Sequence, residues 1–230
     1  MSQPVCIVSG ASRGIGLAVA RRFINAGHIV CGVARHEDAL LKASRGLDAG
    51  ERFVGLVGDV SKPADVERVV AAAAERGAIR ALINNAGCAP LSPVSLMNDE
   101  DFQVAIDVNV AGVFFMTRAV WPAMLTNGDG VIVNISSVAS IDPFPGFAVY
   151  GACKAWVNLF TQAVAGEGKP HGIRVYAVAP GAVETAMLRA HFPDLPTENT
   201  LDPNDVAAVV EQCCGEAMAH CSGQTIFVRR

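Results

Sequence analysis

The sequence predicts an α/β domain: a parallel sheet covered by helices on both faces, as a three-layer sandwich. Three observations carry this. Short apolar segments bounded by turn residues alternate with longer segments of helical periodicity. The composition is 51% hydrophobic and only 17% charged, as a sheet buried on both faces requires. A glycine-rich turn, Ser9-Gly10-Ala11-Ser12-Arg13-Gly14-Ile15-Gly16, follows the first apolar segment and opens the first helical one. At 230 residues the chain suits a single domain, 1–230, with a large core.

Val5–Ser9 reads as the first strand. Gly14–Ala26 reads as a helix with Ile15, Ala18, Val19 and Phe23 on one face. His28–Ala34 is a strand, Glu37–Leu47 a helix and Arg52–Val57 a strand. Pro63–Glu75 is a helix with Pro63 in its first turn and Ser61 as the expected N-cap. Ala81–Asn84 is a strand, and Asp99–Leu125 holds one or two helices. Gly130–Ile135 is a strand, Phe147–Gly166 a long helix and Arg174–Ala179 a strand. Asn204–Met218 is a helix and Thr225–Val228 the last strand. Such alternation implies right-handed crossovers and a parallel sheet. Ligands of such sheets bind beyond the carboxyl ends of the strands. The turns after Val8, Ala34, Val57, Ile83, Ile135 and Ala179 are therefore expected on one edge.

Net charge is −4 and the pI about 5.7, which points to neither a nucleic-acid nor a membrane-surface partner. No uninterrupted apolar run reaches ~18 residues, so no transmembrane span is expected. Met1-Ser2-Gln3-Pro4 lacks the pattern of a signal peptide. The seven cysteines show no CxxC spacing, and no His pair completes a metal site. Free thiols in a reducing cytoplasm are expected, with Cys6 and Cys31 in strands and Cys213-Cys214 on a helix.

The glycine turn has the chemistry of a dinucleotide site. Gly10 permits a tight turn, Gly14 and Gly16 permit close approach, and the helix N-terminus offers N–H groups to a pyrophosphate. Cofactor choice follows from the end of the second strand. An NAD site usually has an acid about 20 residues past the glycines, but Arg35 stands 19 positions after Gly16. With Arg13 it forms a pair of guanidiniums suited to an extra phosphate, so NADP(H) is favoured over NAD(H). Asp59, in Gly58-Asp59-Val60, either accepts from an adenine amino group or caps its own turn. Asn84 and Asn85, in Asn84-Asn85-Ala86-Gly87, are expected to stitch loop backbone to loop backbone. Gly87 leaves a cofactor clearance.

Tyr150 and Lys154 stand four residues apart in a helical segment, so they share a face. An ammonium near a phenol stabilises the phenolate and lowers its pKa from about 10. Ser136 and Ser137 leave the fifth strand at the same edge, and a hydroxyl there can bond a carbonyl oxygen. Asn109, in the helical Asp107-Val108-Asn109-Val110, is a polar amide among apolar residues, which either satisfies backbone or holds a water on a path to Lys154.

Taken together, these motifs resemble the short-chain dehydrogenase/reductase family in its compact single-domain form. They are Gly10-x-x-x-Gly14-x-Gly16, Asn84-Asn85-Ala86-Gly87, Asn109, Ser137, Tyr150-x-x-x-Lys154 and Pro180-Gly181. The resemblance implies a Rossmann-type, doubly wound sheet of about seven strands and a tetrad of Asn109, Ser137, Tyr150 and Lys154. It implies that Tyr150 donates a proton to a carbonyl, that Ser137 polarises it and that Lys154 holds the nicotinamide ribose. It also implies that Pro180, Gly181, the Val183 backbone and the Thr185 hydroxyl flank the nicotinamide carboxamide. The chain departs from the family at Ser9, at Cys153, in a short lid of about 185–203, and in lacking Asp-Gly-Gly after the last strand.

The expected activity is therefore NADPH-dependent reduction of a ketone, aldehyde or 3-oxoacyl substrate, free or carrier-bound. The alternatives are an NAD-dependent alcohol dehydrogenase and a cofactor-sensing scaffold without turnover. Pro143, Phe144, Phe147, Met187, Leu188, Phe192 and Leu195, with Leu91 and Met97, are candidates for an apolar cleft. The family pattern implies pairing of Asp99–Leu125 and Phe147–Gly166 across a homodimer or homotetramer.

Overall fold

The structure is a computed structural model and describes residues 3–230. Seven strands form one parallel sheet: β1 Val5–Ser9, β2 Ile29–Ala34, β3 Phe53–Val57, β4 Ile79–Asn84, β5 Gly130–Ile135, β6 Ile173–Pro180 and β7 Thr225–Val228. Their spatial order is β3-β2-β1-β4-β5-β6-β7, and every pairing is parallel. The order reverses between β1 and β4, which opens a crevice at their carboxyl ends.

Period-2 alternation sends the strand side chains to two separate cores. Cys6, Val8, Val30 and Val133 pack on one face with α1 (Gly14–Asn25), α2 (Glu37–Leu47) and α8 (Pro203–Cys214). Val5, Ile7, Cys31 and Ile132 pack on the other with α3 (Pro63–Ala74), α5 (Gly112–Asn127) and α6 (Ala148–Gly168). The helices supply small and β-branched residues here, such as Ala18 and Val19 from α1 and Val66, Val69 and Val70 from α3. Two buried faces explain why the strands read as continuous apolar runs.

Two details differ from the sequence-based expectation. Ser61 is not the cap of α3: its N–H and hydroxyl both donate to Asp59 Oδ1, at 3.0 and 2.7 Å. Lys62 takes the cap position with no side-chain bond. The helix expected to run to Met218 stops at Cys214, where Gly215 is extended, and the chain continues as a 3₁₀ turn over Glu216–Cys221. Asp99–Leu125 is one rod made of α4 (Asp99–Ile106), a π-helical turn (Asp107–Ala111) and α5. This rod, Asp99–Asn127, is long and apolar enough by length and composition to cross a membrane, although the primary sequence shows no unbroken apolar run. Its Met116, Val120 and Met124 belong to the core beneath the sheet.

Candidate active site

The glycine turn is a packed clasp rather than a loose loop. Gly10 has φ +66°, and a Cβ on it would lie 2.8 Å from Asn85 Nδ2. A Cβ on Gly16 would lie 2.3 Å from the Gly10 carbonyl oxygen. Closeness between β1 and β4 is enforced by hydrogen bonds. Ser9 Oγ accepts from the N–H groups of Asn85 and Ala86, both at 3.0 Å. Asn85 Nδ2 donates to the carbonyls of Ser9 and Gly10 at 2.9 and 3.2 Å. The expected stitching role holds for Asn85 but not for Asn84. Asn84 is buried and bonds side chains, donating to Asn134 Oδ1 at 2.9 Å and to Thr117 Oγ1 at 3.2 Å.

This clasp aims the N-terminus of α1 out of the carboxyl edge of the sheet. Its cap residue, Arg13, is extended (φ −163°, ψ 170°) and forms no side-chain cap. The N–H groups of the first turn are thus left for an external anion, which is what a pyrophosphate needs. Ser12 and Ile15 are half-buried within the turn. Arg13 and Arg35 are exposed, and among the described residues no hydrogen bond or ion pair engages either guanidinium. Asp59 Oδ1 accepts from the N–H and hydroxyl of Ser61 in the turn that follows, and Val60 is buried behind it. The residues present fit a dinucleotide.

The expected tetrad lies at the same edge. Lys154 is 4% exposed, and Nζ donates to the Ile135 carbonyl at 2.9 Å while lying 5.6 Å from the centre of the Tyr150 ring. A Cβ on Gly87 would fall 3.0 Å from Asn109 Oδ1 and 3.6 Å from Lys154 Nζ. Glycine therefore keeps a space open beside both Asn109 and Lys154. Ser137 caps the short turn Val138–Ser140 by accepting from the Ala139 N–H at 3.1 Å. Asn109 is fully buried in the π turn, where extra backbone length often marks a functional site. Its Nδ2 donates to the carbonyls of Cys88 and Ala105, both at 2.9 Å.

The electrostatics correct one expectation. Tyr150 was expected to have a lowered pKa, but burial pushes the phenol up to about 12, with the Ser137 hydroxyl pulling the other way. Burial pushes Lys154 down to about 8. Desolvation is the largest influence on both and opposes both charged forms. Lys154 bonds a backbone carbonyl, and its charge is not delivered to the phenol oxygen.

After β6, Gly181 N–H donates to the Val228 carbonyl at 2.9 Å, so Pro180-Gly181 is held against β7. Val183 forms a parallel bridge with Leu201. The Thr185 hydroxyl, expected to face a carboxamide, here accepts from the Leu188 N–H at 3.2 Å and caps a short lid helix, α7 (Ala186–His191). The lid is internally tied. Arg189 Nε donates to Glu184 Oε1 at 2.7 Å, and its Nη1 donates to the Leu195 carbonyl at 2.6 Å. Sequence reasoning missed this clasp and the Lys154–Ile135 bond. The five-residue spacing of Glu184 and Arg189 around a hydroxyl cap is the one signal that was available.

Comparison with known proteins agrees with this geometry. A family model described as short chain dehydrogenase matches residues 4–196. The 3beta-hydroxysteroid dehydrogenase 1 of Eggerthella lenta is 35% identical over 236 residues, covering 96% of this chain and 90% of that protein. The crystal structure of a 3-ketoacyl-(acyl-carrier-protein) reductase from Brucella melitensis with NADH superposes with a TM-score of 0.91 at 32% identity, covering 99% of this chain and 97% of that one. An actinorhodin polyketide ketoreductase variant with NADPH gives 0.93 at 34% identity, covering 100% and 98%. The class is therefore an oxidoreductase acting on hydroxyl or carbonyl groups. The chain belongs to the short-chain dehydrogenase/reductase family.

Proposed function

We propose that this chain is an NADPH-dependent carbonyl reductase with Tyr150 as its proton donor. One observation carries the reading: Tyr150 and Lys154 share a face of α6, next to Ser137, on the sheet edge where the uncapped N-terminus of α1 opens. The glycine turn, Asp59, Val60 and the Asn85–Gly87 stretch would hold a nicotinamide dinucleotide, and the loop from Pro180 to Thr185 would flank its nicotinamide end. That group, when bound, supplies the hydride.

The side chains do the rest. A phenol kept protonated by burial is a proton donor across the whole neutral range. The Ser137 hydroxyl lies beside it and hydrogen-bonds the carbonyl oxygen, which favours developing negative charge there. Lys154 orients ribose hydroxyls and returns a proton toward Tyr150. Asn109 Oδ1 accepts only a long bond, 3.4 Å, from the Cys88 N–H. It keeps accepting capacity for a relay water on the side of Lys154.

Arg13, in the glycine turn, and Arg35, just after β2, support the choice of NADPH: both are exposed, and among the described residues neither guanidinium has a partner, which suits an extra phosphate. The exposed Phe102, Phe114 and Leu159 on α4, α5 and α6 support a homodimer or homotetramer built on that helical face, and seven free thiols support a reducing, cytoplasmic setting. Calorimetric titration with both reduced cofactors, followed by NADPH oxidation over ketones, aldehydes and 3-oxoacyl thioesters, tests the proposal. Tighter binding of NADPH with turnover of at least one carbonyl class is expected. Tighter NADH binding, or NADPH binding without turnover, would contradict it.

A further inference from the structure

Rings from the lid pack on Phe147, which packs on Tyr150, and His191 is the one lid ring that carries polar atoms. Phe147 is 7% exposed and stands at the centre of a ring cluster. Its centroid lies 5.5 Å from Tyr150, 6.1 Å from Phe192, 6.2 Å from His191 and 6.4 Å from Phe144. All four separations fall in the range where tilted and edge-on aromatic pairs attract. Two of these rings come from the lid, one from the loop before α6 and one is the proton donor itself. Phe144 is 66% exposed at the mouth of the cluster.

Charge in the lid is arranged just as one-sidedly. Arg189 is the only Arg or Lys between residues 185 and 203. Its guanidinium is spent on the Glu184 carboxylate and on the carbonyls of Pro193 and Leu195. Beyond it, Arg230 Nη1 is spent on the Thr200 carbonyl at 2.7 Å. Asp194, Glu198 and Asp202 are exposed on the same segment. A carboxylate or phosphate on a substrate would find acids there and no available guanidinium, with His191, packed edge-on against Phe147 and Phe192, as the one other basic side chain of the segment; a flat apolar group would find aromatic faces.

We infer that this cleft selects neutral carbonyl compounds bearing a flat apolar group next to the carbonyl, and discriminates against anionic ones, including phosphate-bearing thioesters. The inference rests on the reductase reading above and specifies its substrate class. The competing explanation is that the rings merely pack the lid. The two differ in what a ring deletion does to substrate preference.

The test uses the full chain with NADPH and four probes: acetophenone, butanone, para-acetylbenzoate and acetoacetyl-CoA. Acetophenone is expected to exceed each of the others in kcat/KM by about tenfold or more. Phe192→Leu and Phe147→Leu, which keep an apolar side chain in place, are expected to narrow the acetophenone-to-butanone ratio several-fold. Equal or better turnover of para-acetylbenzoate or acetoacetyl-CoA would overturn the inference and leave the reductase reading standing. So would a lower Tm in both variants with an unchanged ratio. Failure to reduce any of the four probes, despite NADPH binding, would overturn this inference; only a further failure on aldehydes would overturn the reductase reading with it.

Discussion

The Lys154 ammonium donates to the Ile135 carbonyl at 2.9 Å and lies 5.6 Å from the centre of the Tyr150 ring. Two groups that chemistry requires as partners are thus held close while one of them is bonded elsewhere. Burial opposes the charge on each: Tyr150 is raised to about 12 and Lys154 lowered to about 8. Charge on either side chain is therefore costly in the fold, and the cost defines measurable behaviour.

Lys154→Met should stabilise the cofactor-free protein while destroying turnover. Relief of a downward shift of this size is worth about 3 kcal/mol, less ~1 kcal/mol for the Ile135 carbonyl left without its partner. A net gain of about 1–2 kcal/mol near pH 7 is expected in denaturant unfolding. An unchanged or lower midpoint would show that the ammonium is not strained in the fold.

The pH dependence has a definite sign. Lys154 has a folded pKa of about 8 against an ordinary 10.5, so between those values the unfolded chain binds the extra proton and stability rises with pH. Tyr150 has a folded pKa of about 12 against 10, so from about 10 to 12 the folded chain binds the extra proton and stability falls. The difference in stability between the unmodified chain and Lys154→Met should shrink as pH rises from 8 to 10. A constant difference across that window would refute the assignment.

Two glycine substitutions should act in opposite directions. Gly16→Ala puts a Cβ 2.3 Å from the Gly10 carbonyl oxygen and 2.5 Å from Asn85 Nδ2. The clash opens the clasp that aims α1, at a cost of about 2–4 kcal/mol, and NADPH affinity should fall with it. Gly46→Ala lies in α2, where nothing is within 4 Å, and should stabilise by roughly 0.5–1 kcal/mol. Thermal melts of both variants check the pair.

Arg35→Asp should move preference from NADPH toward NADH by replacing a phosphate partner with a hydroxyl acceptor. Dissociation constants for both cofactors, measured at one salt concentration, give the ratio. A ratio that does not move would remove Arg35 from the phosphate site.

Much of this molecule is legible in its sequence. The strands were bounded to within a residue or two because both faces of the sheet are buried, which makes them uniform apolar runs between turn residues. The glycine turn and the Asn85 motif were legible because backbone crowding permits few alternatives. The π turn around Asn109 was not, since the segment that follows is apolar on nearly every side and hides the shift in phase that an extra residue causes. Ser61 looked like a cap because its residue type fits, yet Asp59 competed for the same hydroxyl. The direction of the Tyr150 shift was misread because a four-residue spacing reports a shared face and says nothing about burial or about the Ile135 carbonyl.

Tyr150→Phe tests the central claim most directly, with NADPH affinity and carbonyl turnover measured on the same preparation. Loss of the phenol oxygen alone should leave the dissociation constant within a few-fold and lower kcat by about a thousandfold or more. Turnover within about tenfold of the unmodified chain, at equal NADPH affinity, would mean that the proton comes from somewhere else.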